Sequence, residues 1–184
     1  MTVKEILDIA CTFVNRLDVK DYFSNGNGDE EAVKGGEVFI DLLNVVINEL
    51  ACTYVPMITS EDVVAIGGRI HYKDLKEKAV KILKVTDRNN TQIDYEYAYQ
   101  YITVNQPCVT VFYEYSPKKV GIDDEVGYLE KDVSARVIAY GVASEYLLVN
   151  GDFDEAVTWH KRYTDAIASL CLPKNKKVAG RLWA

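Results

Sequence analysis

The chain has 184 residues, 48% of them hydrophobic and 27% charged, with a formal net charge of -7 and a pI of about 4.9. This length allows one domain, or two small lobes, around a real core. The acidic balance argues against broad binding to nucleic acid or anionic membranes except through a local basic patch, and no apolar run reaches the roughly 18 residues of a membrane-spanning helix.

"TVKEILDIACTFVNRL" opens with Thr2 and has Glu5 three residues later, the pattern of a capping box, and so predicts a helix. Val3, Ile6, Leu7, Ala10, Phe13, Val14 and Leu17 recur at three- and four-residue steps and form one apolar stripe. "DYFSNGNGDEEA" follows, and its Asn-Gly steps predict a turn. A second helix is expected from Asp29 to Tyr54, burying Phe39, Leu42, Leu43, Val46, Ile47 and Leu50. Gly35 and Gly36 weaken its first third by about 1 kcal/mol each relative to alanine. The pair either permits a close helix crossing or ends a short first helix, and the break is the favoured reading.

At Pro56 the period changes from helical to alternating. "DVVAIGGRIHY", "KAVKILKVTD", "TQIDYEYAYQYITV" and "CVTVFYEYSP" are rich in β-branched and aromatic residues and are separated by Gly-Gly, Arg-Asn-Asn and Asn-Gln-Pro. Residues 58–116 read as antiparallel strands, with "VTDRNNTQIDYEY" the clearest hairpin. Thr110, Phe112 and Glu114 are expected on the face opposite Val109, Val111, Tyr113 and Tyr115. "SPKKVGIDDEVGYLE" is a polar connector that ends the strands. "KDVSARVIAYGVASEYLLVNG" predicts a third helix capped by Asp132 and terminated by Gly151. "DFDEAVTWHKRYTDAIASLCLP" predicts a fourth, opened by Asp152 and stopped before Pro173.

This order predicts an α+β fold: a four-helix bundle of two N-terminal and two C-terminal helices, an inserted antiparallel β module, and a basic-aromatic C-terminal tail. The expected boundaries are 1–55 and 128–173 for the bundle, 56–117 for the β lobe and 174–184 for the tail.

Signatures of chemistry are few. His71 falls in a strand pattern and His160 on the last helix, without HxH, HExxH or cysteine partners. "AIGGRI" and "VKGGEV" do not continue into a P-loop or GxGxxG, and no GxSxG elbow occurs. The acidic runs at 122–125 and 151–155 read as a solvated loop and a helix start. Cys11, Cys52, Cys108 and Cys171 lie far apart, with no CxxC and no secretory leader before them, and are expected to be buried, reduced thiols. Trp159 belongs to the stripe of Ala156, Tyr163, Ala166, Ile167 and Leu170, which points to the core. No catalytic residue, cofactor or metal is predicted, and the chain is not expected to be an enzyme.

Two features stand out. Tyr95, Tyr97, Tyr99 and Tyr101 alternate strictly in "DYEYAYQY" and are expected to project from one face of a strand. Their neighbours Asp94, Glu96, Ala98 and Gln100 lack the Lys and Arg of a base-stacking platform, which leaves a packed core face, a subunit contact or a ligand surface. After Pro173 the acidic chain turns basic, with Lys174, Lys176, Lys177 and Arg181, and then presents Leu182 and Trp183. Left wet, those apolar groups would cost free energy, so the tail is expected to dock on its own helices or in another chain.

"YGVASEYLLVNGDFDEAVTWHKRYTDAIASL" followed by "KNKKVAGRLW", with "IHYKDL", "VKILKVTD" and "VTVFYEYSP" upstream, resembles the head-to-tail connector (adaptor, or gatekeeper) proteins of tailed bacteriophages, in their podovirus-type branch. The resemblance implies a homo-oligomeric ring, commonly of twelve copies, that joins the portal protein to a tail protein in the virion while DNA passes through without specific binding. It implies no membrane partner and no cofactor. Carried onto this chain, 174–184 becomes the portal-docking segment, with Trp183 as apolar anchor and Arg181 as its charged partner. The alternative from another class is a cytoplasmic enzyme or small-ligand binding protein with a pocket between the sheet and the bundle.

Overall fold

The computed structural model describes residues 1–128 and 132–170, and Cys171 in its backbone alone. Its architecture is α+β, with helices flanking antiparallel strands in chain order. Among the described residues there are five helices where the sequence predicts four.

Helix α1 (Val3–Phe13) begins as expected, the Glu5 amide donating to Thr2 Oγ1 at 3.3 Å. Its stripe buries Val3, Ile6, Leu7, Ala10 and Cys11 but does not continue to Leu17. Asn15 takes a left-handed conformation (φ 56°), which asparagine tolerates better than most residues, and the chain kinks. Helix α2 (Leu17–Asn25) then occupies most of the stretch predicted to turn. Val19 and Phe23, four residues apart, are buried, and that burial outweighs the local turn preference of Ser24 and Asn25. The Asn-Gly signal survives only at its end, where Gly26 (φ 72°) closes the helix.

Helix α3 (Glu30–Glu49) starts on Asp29, whose carboxylate accepts from the Ala32 amide at 2.8 Å. It runs unbroken through Gly35 and Gly36, which corrects the expected break. A Cβ on Gly35 would stand 2.8 Å from Val19 Cγ2, and one on Gly36 2.9 Å from Tyr22 Cε1, so the glycines let α2 cross α3 closely. One π-helical turn, Leu50–Tyr54, follows, with the Val55 amide donating to the Leu50 carbonyl at 2.7 Å.

Among the described residues, seven strands make two antiparallel sheets. Strands β1 (Met57–Val64), β7 (Cys108–Ser116), β3 (Lys78–Thr86) and β4 (Gln92–Ile93) lie side by side in that order. The second sheet has β2 (Arg69–His71), β6 (Tyr101–Val104) and β5 (Tyr95–Tyr97). The β3–β4 hairpin turns where predicted, Asp87 Oδ1 accepting from the amides of Asn89 and Thr91 at 2.8 Å. Along β7, Val109, Val111 and Tyr113 are buried while Thr110, Phe112 and Glu114 lie on the more open face, as the alternation requires.

Helix α4 (Ala135–Asn150) starts after Ser134 rather than on Asp132, because Val133 and Ala135 are already buried and fix its first turn. Gly151 (φ 86°) ends it as expected, and α5 (Phe153–Cys171) turns back along it. The Ser144 hydroxyl donates to the Ala156 carbonyl at 3.1 Å, tying the pair together. Helix α4 is buried on nearly all sides, against α1, α3 and α5. One hydrophobic cluster unites the helices, and a second lies between the strands around Ile82, Val85, Ile102, Val111 and Tyr113. Tyr115 packs against both. The cysteines only partly follow expectation: Cys11 is buried, but Cys52 is exposed on the π turn and Cys108 half-buried at the start of β7. The side chain of Cys171 lies outside the described residues.

Candidate functional site

The docking residues expected in the tail, Lys174, Lys176, Lys177, Arg181, Leu182 and Trp183, lie outside the described residues. The tyrosines do not, and the structure corrects their arrangement. "DYEYAYQY" is not one strand but a hairpin: the Ala98 amide donates to the Tyr101 carbonyl at 2.9 Å, leaving a two-residue loop, Tyr99 and Gln100. Directly paired residues share a face, so Tyr97 stands with Ile102 and Tyr95 with Val104, while Tyr101 falls on the other side. Tyr99, 95% exposed, sits at the tip.

The two faces have different work. Tyr95 and Tyr97 reach across to β3, and the Tyr97 hydroxyl donates to the Ile82 carbonyl at 2.8 Å. The hydroxyls of Tyr95 and Tyr97 are also 3.0 Å apart. Burial and this hydrogen bond to Tyr97 push the Tyr95 phenol up to about 12, so it is neutral across the physiological range. Strand β4 covers only Val85 and Thr86 of β3, so these hydroxyls cap a strand edge that would otherwise be open to pairing. On the opposite face Tyr101 packs edge-on to His71, 5.4 Å between centroids, with the Arg69 guanidinium 4.9 Å from its ring.

Beside the capped edge, β3 is irregular. Its pairing with β7 slips between Ala79 and Lys81, leaving Val80 exposed as the extra residue of a bulge. A groove of about 240 Å³ opens there, lined by Tyr72, Ala79, Val80, Lys81, Ile82 and Tyr97. Lys76, Lys78 and Lys81 are exposed along this segment, and among the described residues none of them is in an ion pair.

A second surface was missed by the sequence reading. At the tight turn between α4 and α5, Leu148 is 49%, Val149 65%, Phe153 62% and Val157 68% exposed. Asp152, Asp154 and Glu155, also exposed and outside any ion pair among the described residues, surround them. A signal was available: Phe153 and Val157 are four residues apart on α5, off the Ala156–Tyr163–Ile167 stripe that meets the core.

A third feature is a cleft of about 530 Å³ where β1 and β7 meet the helices, lined chiefly by Tyr54, Met57, Ile58, Tyr115, Tyr128 and Leu170. The Tyr128 hydroxyl donates to the Val55 carbonyl at 2.8 Å, and burial holds its phenol well above the ordinary range.

The polar groups of the connector hold it against the first helix. In the acidic connector, Asp124 Oδ2 accepts from the Gly121 amide at 2.7 Å, Asp123 pairs with Lys4 at 2.9 Å, and the Val3 amide donates to the Asp124 carbonyl at 3.1 Å. The connector thus pins the start of α1. Trp159 stacks on Phe13 at 4.5 Å, beside Tyr140, and Arg162 lies 4.5 Å over its ring. Among the described residues no group of three His, Cys, Asp or Glu side chains is placed to hold a metal ion, and no helix is long and apolar enough to cross a membrane.

No protein-family model matches this chain, and no curated protein matches it.

Proposed function

We propose that the chain is a non-enzymatic structural subunit of a tailed-bacteriophage head-to-tail connector. In this reading copies form a ring in the virion, bind the portal protein on one side and a tail protein on the other, and let DNA pass through an acidic lumen that repels it. Residues 1–55 and 128–173 serve as a bundle-like helical body, 56–117 as an inserted β lobe, and 174–184 as the portal-docking tail. The sequence resemblance suggests the role. The observation that carries it is that Leu148, Val149, Phe153 and Val157, four large apolar residues around one helix–helix turn, are left open to water. A clustered exposed patch rimmed by charge is the mark of a protein contact, and each such side chain gains up to about 1.5–3 kcal/mol on full burial.

The test is electron microscopy of the purified protein, alone and mixed with portal protein. Rings and ring-sized complexes are expected, and truncation of 174–184 should leave the subunit folded while abolishing portal binding. A truncated chain that still binds portal would remove the tail from this role. Micromolar or tighter binding to duplex DNA at physiological salt would overturn the repelling lumen.

The cleft between the sheet and the helices favours a second reading, a small-ligand binding protein. A monomer whose melting temperature rises on adding one small molecule, and which forms no assembly with portal, would establish it in place of the first.

A further inference from the structure

Two surfaces described above complement each other. The α4–α5 turn is a convex knob, with Phe153 and Val157 exposed and Asp152, Asp154 and Glu155 beside them. The bulge of β3 is a groove lined by the rings of Tyr72 and Tyr97, by Ala79, Val80 and Ile82, and by the exposed Lys81. The carboxylates of Asp152, Asp154 and Glu155 on one side and the Lys81 ammonium on the other are without ion-pair partners among the described residues. A knob and a groove of opposite charge, each combining apolar surface with uncompensated charge, fit a contact in which burial supplies affinity and charge sets orientation.

The knob cannot serve its own groove. The far end of α5 lies at the sheet, where Leu170 shares a cleft with Met57 and Tyr115. Phe153 stands 17 residues back along the same helix, about 25 Å away at 1.5 Å per residue. The two surfaces are therefore distinct patches set apart on the subunit, as a head-to-tail contact requires. Such a contact closes into a ring when the rotation between copies allows it.

We propose that the acidic-apolar knob at the α4–α5 turn of one copy seats Phe153 in the groove of Tyr72, Val80, Lys81 and Tyr97 on the next. This inference rests on the reading of the chain as a self-assembling subunit and names the surfaces that join the copies. It also gives Tyr97 and the β3 bulge a use beyond capping an edge: the bulge turns Val80 outward, and the Tyr97 ring, held by its hydroxyl on Ile82, becomes a wall of the groove.

The experiment uses the full chain and two single variants, Phe153→Asp on the knob and Val80→Asp in the groove, both at exposed positions where folding tolerates change. Circular dichroism and melting confirm that each is folded, and light scattering after gel filtration reads the mass. Wild type is expected to assemble, and each variant alone to associate at least about tenfold more weakly. Mixed in equal amounts, they are expected to form a one-to-one dimer and nothing larger, because only one intact knob and one intact groove remain. Rings that persist in either variant, or a mixture that stays monomeric while wild type assembles, would overturn the inference and leave the connector role standing. Assembly lost as described in the variants, with no portal binding by wild type, would do the reverse. A wild-type chain that remains monomeric at all concentrations, with portal or without, would overturn both.

Discussion

The abrupt reversals between α4 and α5 and between β5 and β6 are of similar length but built on opposite terms. The first is announced by Gly151, the only residue type that adopts φ 86° without penalty, and it carries exposed apolar groups on both sides. The second has no glycine, proline or asparagine; Tyr99 and Gln100 form the loop, and the flanking pairs Tyr97–Ile102 and Tyr95–Val104 hold it. One reversal is specified by the backbone chemistry of a single residue, the other by the burial of what lies beside it. Local chemistry is visible in a sequence, whereas burial by a distant partner is not.

The sharpest contrast to impose is between what each region buries and what it leaves out. Leu43 on α3 is fully buried in the helical cluster, and Leu43→Ala is expected to cost about 2–5 kcal/mol from lost transfer and a residual cavity. Phe153→Ala removes a larger side chain from the α4–α5 turn, yet at concentrations where both proteins are monomeric it should change stability by no more than about 0.5 kcal/mol because that ring is exposed in the single subunit. Urea unfolding of the two variants checks this directly. A large loss of stability in Phe153→Ala would mean that the ring is held within its own subunit, and the exposed cluster would no longer support assembly.

The reversals themselves separate on a finer scale. A Cβ at Gly151 meets nothing within 4 Å, so Gly151→Ala tests backbone strain alone and is expected to destabilise by about 1–2 kcal/mol, with Gly151→Asn losing less. Equal losses for alanine and asparagine would show that something other than the left-handed conformation is being disturbed.

These differences explain which parts of the fold could be read in advance. The Thr2 cap, the Leu43–Val46 stripe, the alternation of β7 and the Asp87–Thr91 turn all depend on residues within a few positions of one another, and each was legible. Helix α2 was not, because Val19 and Phe23 become a helical pair only when Gly35 and Gly36 bring α3 close enough to cover them. The tyrosine repeat misled for a geometric reason. In an unbroken strand Tyr97 and Tyr101 share a face, but a two-residue loop pairs position 101 with 98, and the parity of every later residue inverts. The knob escaped notice because a search for buried stripes passes over apolar residues that stand off the stripe.

Alkali probes the buried phenols, which lie in the strand region at Tyr95 and Tyr113 and in the helical cluster at Tyr128 and Tyr163. The phenols of Tyr95 and Tyr113 are both raised to about 12 in the folded chain, chiefly by burial, with Tyr97 acting on the first and Glu61 on the second. A raised phenol pKa means that the folded state holds a proton the unfolded chain has already released. The contribution is therefore complete below about pH 10, the unfolded value, and disappears as pH climbs towards about 12. Unfolding free energy should fall over that window. In the double variant Tyr95→Phe and Tyr113→Phe it should fall less steeply, and an unchanged slope would show that these two phenols do not govern the alkaline limit.

The smallest effect is expected at the tip of the tyrosine hairpin. Tyr99 is 95% exposed and makes no hydrogen bond or ring contact among the described residues, so Tyr99→Ala should leave unfolding within about 0.5 kcal/mol of wild type. Its neighbours in the repeat behave otherwise, since Tyr97 holds the Ile82 carbonyl and Tyr101 packs on His71 and Arg69. Tyr99 also does not line the β3 groove, so the knob-and-groove contact predicts that Tyr99→Ala assembles like wild type while Val80→Asp does not. Impaired assembly in a stable Tyr99→Ala variant would move the contact from the bulge to the hairpin tip, and with it the reason this sequence spaces tyrosines along that stretch.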